Sequence, residues 1–112
     1  VTPQELAELD LAVAKAEKIP HCWNALERRV APIGKIRGFS TMTSKNGFIW
    51  YHPTEDGAEA MRLLEKYRLS LRPHDHPNWR VYDYHTERES IGPTPAIAIC
   101  RAVVALKGET NG

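Results

Sequence analysis

The segment Thr94–Lys107, TPAIAICRAVVALK, constrains the fold of this chain more than any other. Threonine followed by proline is a helix entry. The threonine side chain can accept from a free N–H of the first turn, and proline at the first helical position lacks the N–H that would go unused there. The residues beyond are apolar on nearly every side of a 3.6-residue repeat. Such a helix has no face for water and must be covered on both sides, by a sheet and by another helix or a second subunit. Arg101 is the one charge in its interior, and a guanidinium that loses water must find partners. Three roles are compatible with it: laying its stem over apolar surface while its head reaches water, pairing with a carboxylate such as Asp83, or projecting into an anion pocket or across an oligomer interface.

The rest of the chain supplies elements to cover that helix. Thr2-Pro3-Gln4-Glu5 has the form of a capping box, and Leu6, Leu9, Val13 and Ala16 follow at helical spacing, which predicts an amphipathic helix ending before Pro20. Residues 21–31 are compatible with a short helical turn or the approach to a strand. Residues 35–51 predict a hairpin, because Asn46-Gly47 suits a type I′ turn in which both positions need positive φ. Pro53-Thr54-Glu55-Asp56 predicts a second helix start, with Ala60, Met61, Leu63, Leu64 and Tyr67 as its apolar face. Leu69-Ser70-Leu71 predicts a short strand. In Trp79-Arg80-Val81-Tyr82-Asp83-Tyr84 the alternation puts Trp79, Val81 and Asp83 on one face and Arg80, Tyr82 and Tyr84 on the other. The polar stretch Thr86–Gly92, TERESIG, reads as a loop. The order α, β, β, α, β, β, α predicts an α+β fold: a single small domain over residues 1–112, with a largely antiparallel sheet covered by helices.

A length of 112 residues and a hydrophobic share of 42% fit one soluble domain. The formal net charge of +1 provides no global field for duplex nucleic acid or an anionic membrane. No apolar run reaches the roughly 18 residues of a membrane span, and no signal-peptide pattern is visible. Cys22 and Cys100 fit neither a metal spacing nor a disulfide framework, and are expected to be reduced and buried in a cytosol. The charge is uneven: Arg28, Arg29, Lys35, Arg37 and Lys45 lie in a segment without acids, 28–54. A solvated face accounts for this. A site for a small phosphorylated ligand does so too, with Arg28 and Arg37 as its candidate cations.

The chemistry-bearing residues form no catalytic constellation. His74, Asp75 and His76 lack a metal-ligand spacing, the serines lack a nucleophile elbow, and no phosphate-binding glycine motif occurs. The expectation is a protein that is not an enzyme and uses no metal or cofactor. The aromatics Trp50, Tyr51, Trp79, Tyr82 and Tyr84 all fall on predicted strands. Trp50 and Trp79 are explained by core packing. Tyr82 and Tyr84 share a face with Arg80, and tyrosine rings beside guanidinium groups can stack a nucleobase and hold phosphate.

Three stretches also carry a resemblance. GPTPAIAICRAVVALKG (Gly92–Gly108), WYHPTEDGAEAMRLLEK (Trp50–Lys66) and LDLAVAKAEKIPHCW (Leu9–Trp23) resemble the small bacteriophage proteins of the phage ABA sandwich and NinX type. Within that group the chain is similar in size and layout to the type 1 Thoeris anti-defence family. The resemblance implies a helix–sheet–helix sandwich from a phage, acting in the host cytoplasm. It implies a homo-oligomeric sponge that sequesters cyclic ADP-ribose-type signals, and in some members cyclic oligonucleotides, without turning them over. Arg101 matches the arginine of the family's last helix, and Thr54 and Asp56 match its helix-start motif. The expected ligand set is thus Arg101, Tyr82, Tyr84, Arg80, Thr54 and Asp56, with Arg28 and Arg37 as a second anion site. The alternative is a phage accessory protein that acts on a host protein and has no nucleotide ligand.

Overall fold

The computed structural model describes residues 2–19, 21–24, 29–32, 42–43 and 49–110. Helix α1 spans Pro3–Ala16, with Pro3 at its first position. The Thr2 hydroxyl accepts from the Glu5 N–H at 3.1 Å, as the sequence predicts. Strands β1 (His21–Asn24) and β2 (Arg29–Pro32) pair antiparallel, which resolves residues 21–31 as extended chain. Strands β3 (Met42–Thr43) and β4 (Ile49–Trp50) also pair antiparallel, and Tyr51 bridges to Val30 of β2. The Asn46-Gly47 turn expected between β3 and β4 lies outside the described residues.

Helix α2 spans Gly57–Lys66. It starts later than the sequence suggests: Asp56 is the N-cap, and its carboxylate accepts from the N–H groups of Ala58 and Glu59. Its apolar face also needs correction. Ala60 and Leu63 are buried, but Met61 is exposed and Glu59 is fully enclosed. Strands β5 (Ser70–Pro73), β6 (Trp79–Asp83) and β7 (Arg88–Gly92) form an antiparallel sheet in the order β5-β6-β7. Strand β7 corrects the loop expected over TERESIG. An edge strand can carry charge on its open positions, and Arg88, Glu89 and Ile91 are exposed here, so no alternation of burial marks it in the sequence.

Helix α3 spans Pro95–Thr110 and starts as expected: the Thr94 hydroxyl accepts from the Ile97 N–H at 3.2 Å. It packs against β6 and β7 on one side and against α1 and α2 on the other, and α1 packs in turn on β2. The protein is therefore α+β, with an antiparallel sheet covered by helices. Within that class α3 takes the middle position, which suits its composition. Ala98, Ile99, Cys100 and Val103 are fully buried in a core shared with Val13, Val30, Leu63 and Val81. The chain crosses closely where β7 meets α3. A side chain at Gly92 would begin 2.7 Å from the Ala98 backbone nitrogen.

Both α1 and α2 end in the same way. The C-caps Glu17 and Tyr67 are followed by Lys18 and Arg68 at φ 56° and 52°. The next N–H groups, of Ile19 and Leu69, reach back to the carbonyls of Ala14 and Leu64 at 3.0 and 2.9 Å. This is the Schellman arrangement, with the buried Ile19 and Leu69 closing each end hydrophobically. These two stops fix the C-terminal ends of the helices that cover α3.

Candidate functional site

The alternation of β6 decides what its two faces do. Val81 and Asp83 are buried toward α3, while Arg80 and Tyr82 point the other way, half-buried, and Tyr84 just beyond is exposed. Register extends that outer face across the sheet, since directly paired residues share a side. Ser70, Tyr82 and Glu89 form one cross-strand row, and Arg72, Arg80 and Ile91 form the next. Ser70, Arg72, Arg80, Tyr82, Tyr84 and Glu89 line an open groove of about 360 Å³. The Tyr82 and Tyr84 rings meet edge to face, with centroids 4.8 Å apart. Arg80 lies 3.6 Å from the Glu89 carboxylate. The structure thus brings together Arg80, Tyr82 and Tyr84. It adds Arg72 and Glu89, which the sequence reasoning missed. The alternation of β5 was a signal for Arg72, whereas Glu89 was hidden by the loop assigned to its strand.

Arg101 does not line this groove. It is exposed, and its Nη1 donates to the Ile91 carbonyl at 2.7 Å, tying α3 to the edge strand β7. Asp83, the carboxylate considered for it, instead accepts from the His85 N–H and the Thr86 hydroxyl. Of the roles considered for Arg101, the Asp83 pair is not formed, and its exposed head group bonds a backbone carbonyl instead.

Thr54 and Asp56 lie elsewhere. The Thr54 N–H donates to Asp10 at 3.0 Å, and Asp56 uses its carboxylate on its own helix. The N–H groups of Thr54, Glu55, Asp56, Ala58 and Glu59 at this helix start are therefore taken. Asp10 is buried on the packed side of α1, near the Arg29–Glu55 ion pair at 3.2 Å, and all three line a cavity of about 260 Å³. Burial is the main reason its pKa rises from 3.8 to about 7, aided by Glu55 and opposed by hydrogen bonding from Thr54 and by Arg29. The Thr54 hydroxyl comes near this carboxylate without reaching hydrogen-bond geometry, and the buried His52 Nδ1 is likewise without a partner among the described residues.

A second buried polar system joins the two covering helices. The Tyr51 hydroxyl donates to Glu59 at 2.7 Å, and Arg62 donates to Glu59 and to Glu17. Glu17 also accepts from Lys66 and from the Tyr67 hydroxyl. Burial and the Glu59 carboxylate both push the Tyr51 phenol far above its ordinary range. This network ties α1 to α2. Among the described residues no three His, Cys, Asp or Glu side chains form a group able to hold a metal ion. His74 and Asp75 stand 3.9 Å apart, with Asp75 fully in solvent. Cys100 is a buried free thiol whose pKa burial raises well above normal, and the Cys22 side chain lies outside the described residues. Arg28 and Arg37 lie outside them too. No helix among the described residues is long and apolar enough to cross a membrane.

Fold and surface together define a class: a small α+β protein whose sheet, among the described residues, is covered by helix on one face and set with tyrosines and arginines on the other. The chain belongs to the NinX family of bacteriophage P22, whose model, described as Bacteriophage P22, NinX, matches residues 5–107. It is a small phage protein of the accessory kind. No curated protein matches it.

Proposed function

We propose that this protein is a non-enzymatic counter-defence protein that binds a small cyclic nucleotide immune signal on its open sheet face and sequesters it in the host cytoplasm. The observation that carries this is the shared outward face of Arg80, Tyr82 and Tyr84, with Arg72 across the strand pair. Tyrosine rings offer stacking surface to a base, and guanidinium groups match phosphate oxygens. The groove's volume of about 360 Å³ falls in the range of small-ligand sites. A single sheet covers a ligand on one side only, so tight sequestration calls for a homo-oligomer in which a second copy closes the other side. Calorimetric titration with cyclic ADP-ribose-type signals and cyclic trinucleotides tests the reading. Submicromolar binding with release of a ligand of unchanged mass on denaturation is expected. A changed mass would make the protein an enzyme, and no binding to any of these ligands would remove the proposal.

A second reading has its own support. Tyr84 is 64% exposed and Ile91 37%, on the face that carries the arginines. Tyrosine and arginine dominate the energetics of protein interfaces. A host protein could dock there instead. Stoichiometric capture of one host protein that Tyr84→Ala abolishes, without nucleotide binding, would favour this reading.

A further inference from the structure

Arg72 and Arg80 occupy directly paired positions on neighbouring strands. Cross-strand partners hold their Cβ atoms about 4.5–5.5 Å apart, and like charges so placed repel. Glu89 reaches Arg80 at 3.6 Å, and Arg72 has no ion-pair partner among the described residues. Two guanidinium groups facing the same groove thus have one carboxylate between them. Their shared surplus of charge matches an anion that spans both.

The neighbouring row extends the match. Tyr82 follows Arg80 by two residues on the same face, so the rows are about 6.8 Å apart along the strand. That is comparable to the span from phosphate to base in a nucleoside phosphate. Glu89 is paired directly with Tyr82 and also approaches Arg80, which places it between the cationic row and the rings. A carboxylate at that point repels phosphate and accepts from adjacent hydroxyls.

We infer that Arg72 and Arg80 form a phosphate clamp, with Tyr82 and Tyr84 stacking the base and Glu89 accepting from the ribose hydroxyls, so that the site selects ribonucleoside phosphates. This assignment rests on the proposed nucleotide reading of the groove and specifies how the ligand lies in it. Arg72 is an exposed side chain, so its replacement leaves the core intact.

The test is an NMR shift titration to millimolar concentrations with AMP, dAMP and adenosine. It uses the full chain and the Arg72→Ala, Arg72→Lys and Glu89→Gln variants, each checked for an unchanged thermal melt. Wild type should bind AMP at least tenfold more tightly than adenosine. Arg72→Ala should weaken AMP at least tenfold and leave adenosine unchanged, and Arg72→Lys should restore only part of the loss. Glu89→Gln should reduce the preference for AMP over dAMP while keeping the phosphate dependence. Equal binding of AMP and adenosine, no AMP binding, or an Arg72→Ala variant with full AMP affinity overturns the clamp. Titrating the cyclic signals against the same variants separates the two levels. Arg72-dependent AMP binding without cyclic-signal binding sinks sequestration and keeps the clamp. Cyclic-signal binding indifferent to Arg72 does the reverse.

Discussion

Arg101 shows how a residue that stands out in a sequence can have a local explanation. Its head group bonds the Ile91 carbonyl on the edge strand, outside the groove. Arg101→Ala should therefore lower stability by about 0.5–1.5 kcal/mol, the worth of one such bond at the surface, and leave nucleotide affinity unchanged. Urea unfolding and ligand titration on the same sample check both halves. A tenfold loss of affinity at constant urea midpoint would return Arg101 to the ligand site. Asp10 is the opposite case, a residue that does not stand out but carries a large effect. Its pKa rises from 3.8 to about 7, so the folded state binds a proton that the unfolded state has released over that interval. The associated stability is fully present below about pH 3.8 and is lost as pH climbs through about 7. Asp10→Asn keeps an oxygen for the Thr54 N–H and removes the charge. It should be the more stable protein at pH 8, by up to about 2–4 kcal/mol, and match wild type near pH 4.

At the scale of elements, the helix stops make a separate prediction. Lys18 and Arg68 hold left-handed backbone at the residue after each C-cap, where glycine carries no Cβ penalty. Lys18→Gly and Arg68→Gly should each raise stability by about 0.5–1 kcal/mol. Because the adjoining caps Glu17 and Tyr67 share one hydrogen-bond network, the two gains should couple and depart from a simple sum, which chemical denaturation of the double variant measures. Gly92→Ala should go the other way by about 1–3 kcal/mol, since the new methyl meets the α3 backbone at 2.7 Å. These elements also show what could be read from residues alone. The starts of α1 and α3 were legible because their capping signals act over three or four residues. The outward pair Arg80 and Tyr82 of β6, with Tyr84 just beyond, was legible because a strand's period is two. Strand β7 was not, because both of its faces carry polar residues and it is defined by pairing with β6. The burial of Asp10 and Glu59 was not legible either. Their partners Thr54 and Tyr51 lie 44 and 8 residues away in sequence, and only packing brings them together.

At the scale of the whole molecule, the linkage to pH of two of the enclosed carboxylates, Asp10 and Glu17, runs in opposite directions. Burial pushes the Glu17 pKa up, but hydrogen bonds from Tyr67, Lys66 and Arg62, with the charge of Lys66, outweigh it and hold the group below 4.5. A depressed pKa means stability that is present above the ordinary value and is lost as pH falls through the folded one. Asp10 removes stability on the other side, between about 4 and 7. Both groups sit on the helix layer that covers α3, so each acts on the same cooperative core. Taken together, these two contributions peak near pH 4, where the Asp10 loss begins and the Glu17 gain nears completion. Urea unfolding at half-unit pH steps from 3 to 8 should trace that maximum. Asp10→Asn should flatten the descending limb toward neutral pH. Glu17→Gln should flatten the rising limb below pH 4.5 while lowering the whole curve, because the amide cannot replace a carboxylate that holds Arg62, Lys66 and Tyr67. A wild-type profile that rises steadily to pH 7 would show that Asp10 stays ionised and hydrated, with the cavity beside it open to water.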